Sequence, residues 1–210
     1  MRISWVFVFA GLLAGCGSVR GPVTKYYKLE IPPAPTPAGP SAPVPLRVEP
    51  FRANNLVRQD RIVYRPSPVE VGFYEYHRWA EPPNDTVTKA LADQLMSRHV
   101  FQSVEISDGG EKPGYVLRGS IEQLQEVDYK GAVKVQVSIS AELEDPVRRE
   151  KIWSSTASSE CLVNKSNVQA VVAAMGQASQ QSIARLVTDV TKFVQLNHLT
   201  AASSAATPRP

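Results

Sequence analysis

Apolar and polar residues alternate most cleanly in the second half of the chain. Val133, Val135, Val137, Ile139, Ala141 and Leu143 take every second position, with Lys134, Gln136, Ser138, Ser140 and Glu142 between them. A period of two predicts a strand with one buried and one wet face. Tyr115, Leu117, Gly119 and Ile121 begin another long strand. It runs to about Val127, and a change of phase between Ile121 and Leu124 predicts a bulge. Asp145-Pro146 turns the chain, and Lys151 to Cys161 reads as the return strand, with Ile152, Trp153 and Ala157 as core candidates. Val100 to Ser107 reads as a short strand stopped at Asp108-Gly109-Gly110. In the first half, Tyr26, Tyr27 and Leu29 suggest a short strand, Leu46 to Pro50 a second, Ile62 to Tyr64 a third and Val69 to Tyr76 a fourth.

Two stretches change period to that of a helix. After Trp79-Ala80-Glu81-Pro82-Pro83, Asp85 is placed to cap a helix reaching about Arg98, with Val87, Leu91 and Leu95 as its apolar stripe. The closing helix runs from about Lys165 to Leu196. Its stripe is Val168, Val172, Met175, Ser179, Ile183, Leu186, Val190 and Phe193. That stripe suits one face of a sheet, and the other face then needs cover from the first helix or from a neighbouring subunit. The expected architecture is α+β: an antiparallel sheet packed by two helices, an α/β sandwich, in a single domain over residues 46–197. Residues 16–45 read as an N-terminal segment with a short strand and a proline-rich spacer. Proline at the density seen between Ile31 and Pro45 favours polyproline II over a central ladder. Residues 198–210, rich in Ala, Ser and Pro, read as a disordered tail.

The N-terminus has its own pattern. Arg2 is followed by an apolar run from Trp5 to Leu13 and then by Ala14-Gly15-Cys16. Charge, a short apolar stretch and small residues make a secretory signal, here residues 1–15. The run is too short for the ~20 apolar residues that span a bilayer. A cysteine directly after the small residues makes this a lipoprotein signal, with Cys16 as the acylated first residue of the mature chain. Several acyl chains on one residue anchor stably where a single chain is marginal. Gly17 in place of the Asp found in many lipoproteins retained at the inner membrane points to an outer-membrane anchor facing the periplasm.

Composition narrows the chemistry. The 210 residues carry a formal charge of +3, too small and too evenly spread for a nucleic-acid surface. With Cys16 acylated, Cys161 has no partner for a disulfide and reads as a small, partly buried apolar side chain. His77, His99 and His198 stand apart, and none has a metal-ligand neighbour at a useful spacing. No nucleophile elbow, P-loop, dinucleotide turn or zinc-protease helix is present. Glu142, Glu144 and Asp145 lie on a wet face before a turn and read as solvated charges. No catalytic residue, metal or cofactor is expected. Arg61, Arg65 and Arg78 offer a basic patch for lipid headgroups. The remaining candidate is Phe73-Tyr74-Glu75-Tyr76-His77-Arg78-Trp79, read either as buried rings or as a partner interface, where Tyr, Trp and Arg are enriched. The interface reading takes Tyr74, Tyr76, Arg78, Trp79 and Glu81.

With these residues laid out, the chain resembles the ABC-type transport auxiliary lipoprotein family. The resemblance rests on Leu13-Ala14-Gly15-Cys16, Tyr26-Tyr27-Lys28-Leu29, Arg58 to Arg65, and Tyr115-Val116-Leu117-Arg118-Gly119 with Ile121. It rests most specifically on Tyr74 and Tyr76 followed by Trp79-Ala80-Glu81-Pro82-Pro83. The Ala-rich closing helix around Ala173-Ala174-Met175 also fits, whereas the proline-rich insertion at 32–45 is longer than the family's. The resemblance implies a non-enzymatic periplasmic accessory of an envelope lipid transporter, partnered by an MCE-type protein and an ABC permease with its ATPase. It also implies a homo-oligomeric ring. A direct carrier of lipid or another hydrophobic solute is the alternative, and a periplasmic hydrolase is the remote one.

Overall fold

The structure, a computed structural model, describes residues 21–34, 42–109, 114–129, 131–164, 167–197 and 199. Cys16, the signal at 1–15, residues 35–41 of the proline-rich run and the tail beyond Leu199 lie outside the described residues. Nine strands and two helices follow one another among those described. They are β1 (Lys25–Tyr27), β2 (Ala42–Val48), β3 (Arg52–Ala53), β4 (Arg61–Arg65), β5 (Gly72–Trp79), α1 (Pro83–Ser97), β6 (Phe101–Ile106), β7 (Tyr115–Val127), β8 (Lys134–Asp145), β9 (Glu150–Leu162) and α2 (Val168–Asn197). The α+β sandwich expected from the sequence is thus present, with a sheet that is mixed rather than wholly antiparallel. The long pairings, β7 with β8 and β8 with β9, are antiparallel. Short parallel pairings join β2, β3 and β4 to successive stretches of the other edge of β7. Two further parallel pairings add β6 to β2 and β1 to β5.

The alternation in β8 does what its period dictates. Val135, Val137, Ile139, Ala141 and Leu143 are all buried, opposite Glu126, Leu124, Ile121, Gly119 and Leu117 of β7. The register shifts between Ile121 and Gln123, at the predicted bulge. Helix α2 lies over β8 and β9. It buries Val171, Met175, Ile183, Leu186, Val187 and Val190. Gly176 is needed there, because a methyl group at this position would collide with the backbone carbonyl oxygen of Glu30 as the N-terminal segment crosses the helix. Gly119 similarly leaves room for the ring of Phe51. The backbone N–H of Phe51 donates to the Thr88 hydroxyl of α1 at 2.9 Å, which ties the start of β3 to that helix.

Three expectations are corrected. The first concerns the proline-rich run, which was expected to stay out of the ladders. Its end forms the start of β2, and β2 lies between β6 and β7. Pro43 and Pro45 are tolerated because pairing there is to β6 alone and shifts register between Ala42 and Pro45, while contact with β7 begins only at Leu46. The second concerns α1, which starts at Pro83, so Asp85 is not its cap. Proline presets φ for the first helical position, and Asp85 instead places its charge against the positive end of the helix. The third concerns the cover of the second sheet face. Helix α1 packs beside α2 and β6, and Arg98 donates to the Thr188 hydroxyl at 3.2 Å. The outer face of β7–β8–β9 is instead polar, with rows Arg118–Glu142–Ser154, Ser120–Ser140–Thr156 and Gln125–Gln136–Glu160 running across the three strands.

Candidate functional site

The aromatic segment 73–79 forms β5, clamped between β1 and β4. The β4–β5 register jumps between Val63 opposite Phe73 and Arg61 opposite Arg78, so the middle of β5 bulges out of regular pairing. Its side chains then find specific partners. The Tyr74 hydroxyl donates to Glu126 Oε2 at 2.8 Å. The Tyr74 ring lies 5.0 Å from that of Tyr64 and 5.5 Å, edge-on, from that of His77. His77 Nδ1 shares a 2.8 Å hydrogen bond with the Tyr27 hydroxyl of β1. The Tyr64 ring tip lies over Gly72, and a side chain there would displace it.

Electrostatics follow from this enclosure. Burial pushes the Glu126 carboxyl above the usual carboxylate range, against the lowering effect of the Tyr74 hydrogen bond and with a smaller upward push from Asp128. Burial also drives the Tyr74 phenol far upward, aided by its bond to Glu126. The hydrogen bond between the two groups ties β5 to β7.

The residues singled out from sequence separate into two sets. Trp79 is core, 6% exposed, and its backbone N–H donates to the Asp60 carbonyl at 2.6 Å. Tyr74 is half-buried in the cluster just described. Tyr76, Arg78 and Glu81 are half-buried too, with the Arg78 and Glu81 side chains 31% and 43% exposed. Arg78 pairs with Asp60. Glu81 accepts from the Thr86 hydroxyl at 3.2 Å and lies 3.6 Å from Lys28 Nζ. The basic patch breaks up in a similar way. Arg61 stands opposite Arg78 across the two strands, while Arg65 turns to the Pro68 carbonyl. Tyr27, Tyr64 and Glu126 were missed from the sequence. A signal for Glu126 existed, since the bulge after Ile121 puts it in phase with Leu124 on the buried face.

Elsewhere the solvated acids of β8 are paired. Arg118 bridges Glu49 and Glu144, and Lys151 lies 3.5 Å from Glu142. An open cleft of about 750 Å³ beside them is lined by Arg52, Arg118, Ser120, Ser140, Glu142 and Thr156, among others. Cys161 is half-buried beneath Gln181, and burial raises its thiol, which makes it a packing residue. Among the described residues no three His, Cys, Asp or Glu side chains gather as a metal site.

The whole is a helix-backed mixed sheet whose β5 side chains brace one another. The chain belongs to the family described as the ABC-type transport auxiliary lipoprotein component, which matches residues 27–187. It is thus an auxiliary lipoprotein of the cell envelope. A comparison with curated proteins found no match. Similar solved structures include a DUF330-family protein from Xanthomonas campestris, 21% identical, with a TM-score of 0.73 over 82% of this chain and 98% of that one. An uncharacterised protein is 17% identical, with a TM-score of 0.63 over 80% and 99% of the two chains. A hypothetical protein from Chlamydia trachomatis is 10% identical, with a TM-score of 0.52 over 74% and 100%. At these identities the likeness is one of fold.

Proposed function

We propose that this chain is the non-catalytic, lipid-tethered docking subunit of a trans-envelope lipid transporter. Acyl chains on Cys16 hold it in the outer membrane, facing the periplasm. An MCE-type protein and an ABC permease with its ATPase are its partners. The observation that carries this reading is the family match over residues 27–187, joined to Leu13-Ala14-Gly15-Cys16 upstream of it. The build of β5 supports an interface there: Tyr74 and Trp79 are fixed from below, so Tyr76, Arg78 and Glu81 are presented on a stiff support, which lowers the ordering cost of binding. Copies of the chain associate in a ring in this reading. Carriage of lipid inside the domain is less well supported, since the cleft on the sheet is lined by charged and hydroxyl side chains.

Affinity capture of the lipidated protein from cross-linked envelopes tests the proposal. Recovery of an MCE protein together with permease or ATPase subunits is expected, and recovery lost on combining Tyr76→Ala with Arg78→Ala locates the interface. Capture without any of these subunits contradicts the partnership.

A further inference from the structure

Exposed apolar side chains collect at one end of the sheet, the end toward which the tether points. Arg65, Val127, Lys134 and Leu162 stand in one row across β4, β7, β8 and β9. Beyond Arg65 the chain turns through Pro66-Ser67-Pro68-Val69-Glu70-Val71 and returns at Gly72, opposite Tyr64. Strand β1 runs parallel to β5 but pairs with its far stretch, Lys25 opposite His77, so the chain ahead of β1 points back toward this end. At the end itself Val69 is 94% exposed and Leu162 is 67% exposed. Val71 is exposed as well.

The loop that carries Val69 is held firmly. Its two prolines fix φ, Arg65 donates to the Pro68 carbonyl, and the Glu70 N–H donates to the Ser67 hydroxyl at 3.1 Å. A braced loop with a bare valine at its tip has little conformational freedom left to lose on burial. The tether is short too: fully extended, the chain from Cys16 to Lys25 spans at most about 30 Å.

We propose that this end of the sheet rests on the bilayer, with Val69, Val71 and Leu162 dipping into the interfacial region. The placement rests on the Cys16 tether proposed above. Apolar insertion carries the contact: Glu70 and Asp128 share the end with Arg65 and Lys134, so charge gives no preference for anionic lipid, and raised salt leaves the contact in place.

The test uses the full chain as cells process it, in vesicles of phosphatidylcholine containing acyl-brominated phosphatidylcholine. Val69→Trp is compared with Val147→Trp, the latter at another exposed valine, in the β8–β9 turn at the other end of the sheet. Bromine is expected to quench the added V69W emission roughly threefold more than that of V147W, as a residue in the headgroup–acyl boundary requires. A chain that fails to float with the vesicles overturns the tether and this placement together. A floating chain in which the two variants quench equally overturns the placement and leaves the tether standing. V69W emission that shifts to the blue without bromine quenching puts protein, either a second copy or a transporter subunit, over this end and also overturns it.

Discussion

The two panels that meet along β7 are built differently. On one side, β7, β8 and β9 pair antiparallel over nearly their whole lengths beneath α2. On the other, β1, β3 and β4 make short pairings, most of them parallel, and β5 carries a break in register. The first panel draws its stability from an uninterrupted row of buried aliphatic side chains, where each contributes and none is singular. The second depends on named contacts: Tyr74 with Glu126, Tyr27 with His77, Arg78 with Asp60. In the second design the partly exposed residues of β5 sit among side chains held by specific partners.

The largest effect should come from the regular panel. Leu143 is fully buried in β8, and Leu143→Ala is expected to cost about 2–5 kcal/mol, measured as a lower urea midpoint at unchanged slope. A cost well under that range would mean that α2 closes onto the gap.

Tyr74→Phe tests the irregular panel. It leaves the Glu126 carboxyl buried without its phenolic donor, at about 1–3 kcal/mol. Hydrogen exchange should quicken in β1, β4 and β5 and stay slow in β8. Uniform quickening would show that the panels do not differ as described.

Glu126→Gln sharpens the same comparison through pH. A carboxyl raised in the folded state holds its proton more tightly there than in the unfolded chain. Its contribution is therefore complete below the ordinary carboxylate range and is lost as pH rises through the folded value. The Tm of the unaltered protein relative to E126Q should fall as pH rises from that range into weakly acidic solution. A difference that is flat or increases with pH contradicts the burial argument.

The smallest effect is a gain. His99 sits at φ 53° just past α1, where its N–H reaches the Met96 carbonyl and the Val100 N–H reaches that of Leu95. This paired closure of a helix end favours glycine. His99→Gly should stabilise the chain by about 0.5–1 kcal/mol, visible as a higher urea midpoint.

The same contrast explains what could be read from sequence. Strands β7 and β8, the bulge after Ile121 and helix α2 are legible because burial alone produces their periodicities. The entry of Pro43 and Pro45 into β2 is not, since it depends on β7 beginning its contact only at Leu46, a fact of tertiary register. The β5 segment was visible as aromatic and charged, but its division into braced and partly exposed residues was not. That division comes from Tyr27, Tyr64 and Glu126, which approach it from three separate strands. The start of α1 was misplaced because Asp85 is a good cap by type, while Pro83 fixes the first turn by geometry.

The claim on which this account depends is that the domain works while held at a membrane through its first mature residue. Intact-mass analysis of the protein extracted from bacterial envelopes tests it directly. The account predicts a chain beginning at Cys16 whose excess mass is that of a diacylglyceryl group, with or without a further N-linked acyl chain. A mature chain beginning at another residue, or one beginning at Cys16 with no fatty acid attached, would contradict it.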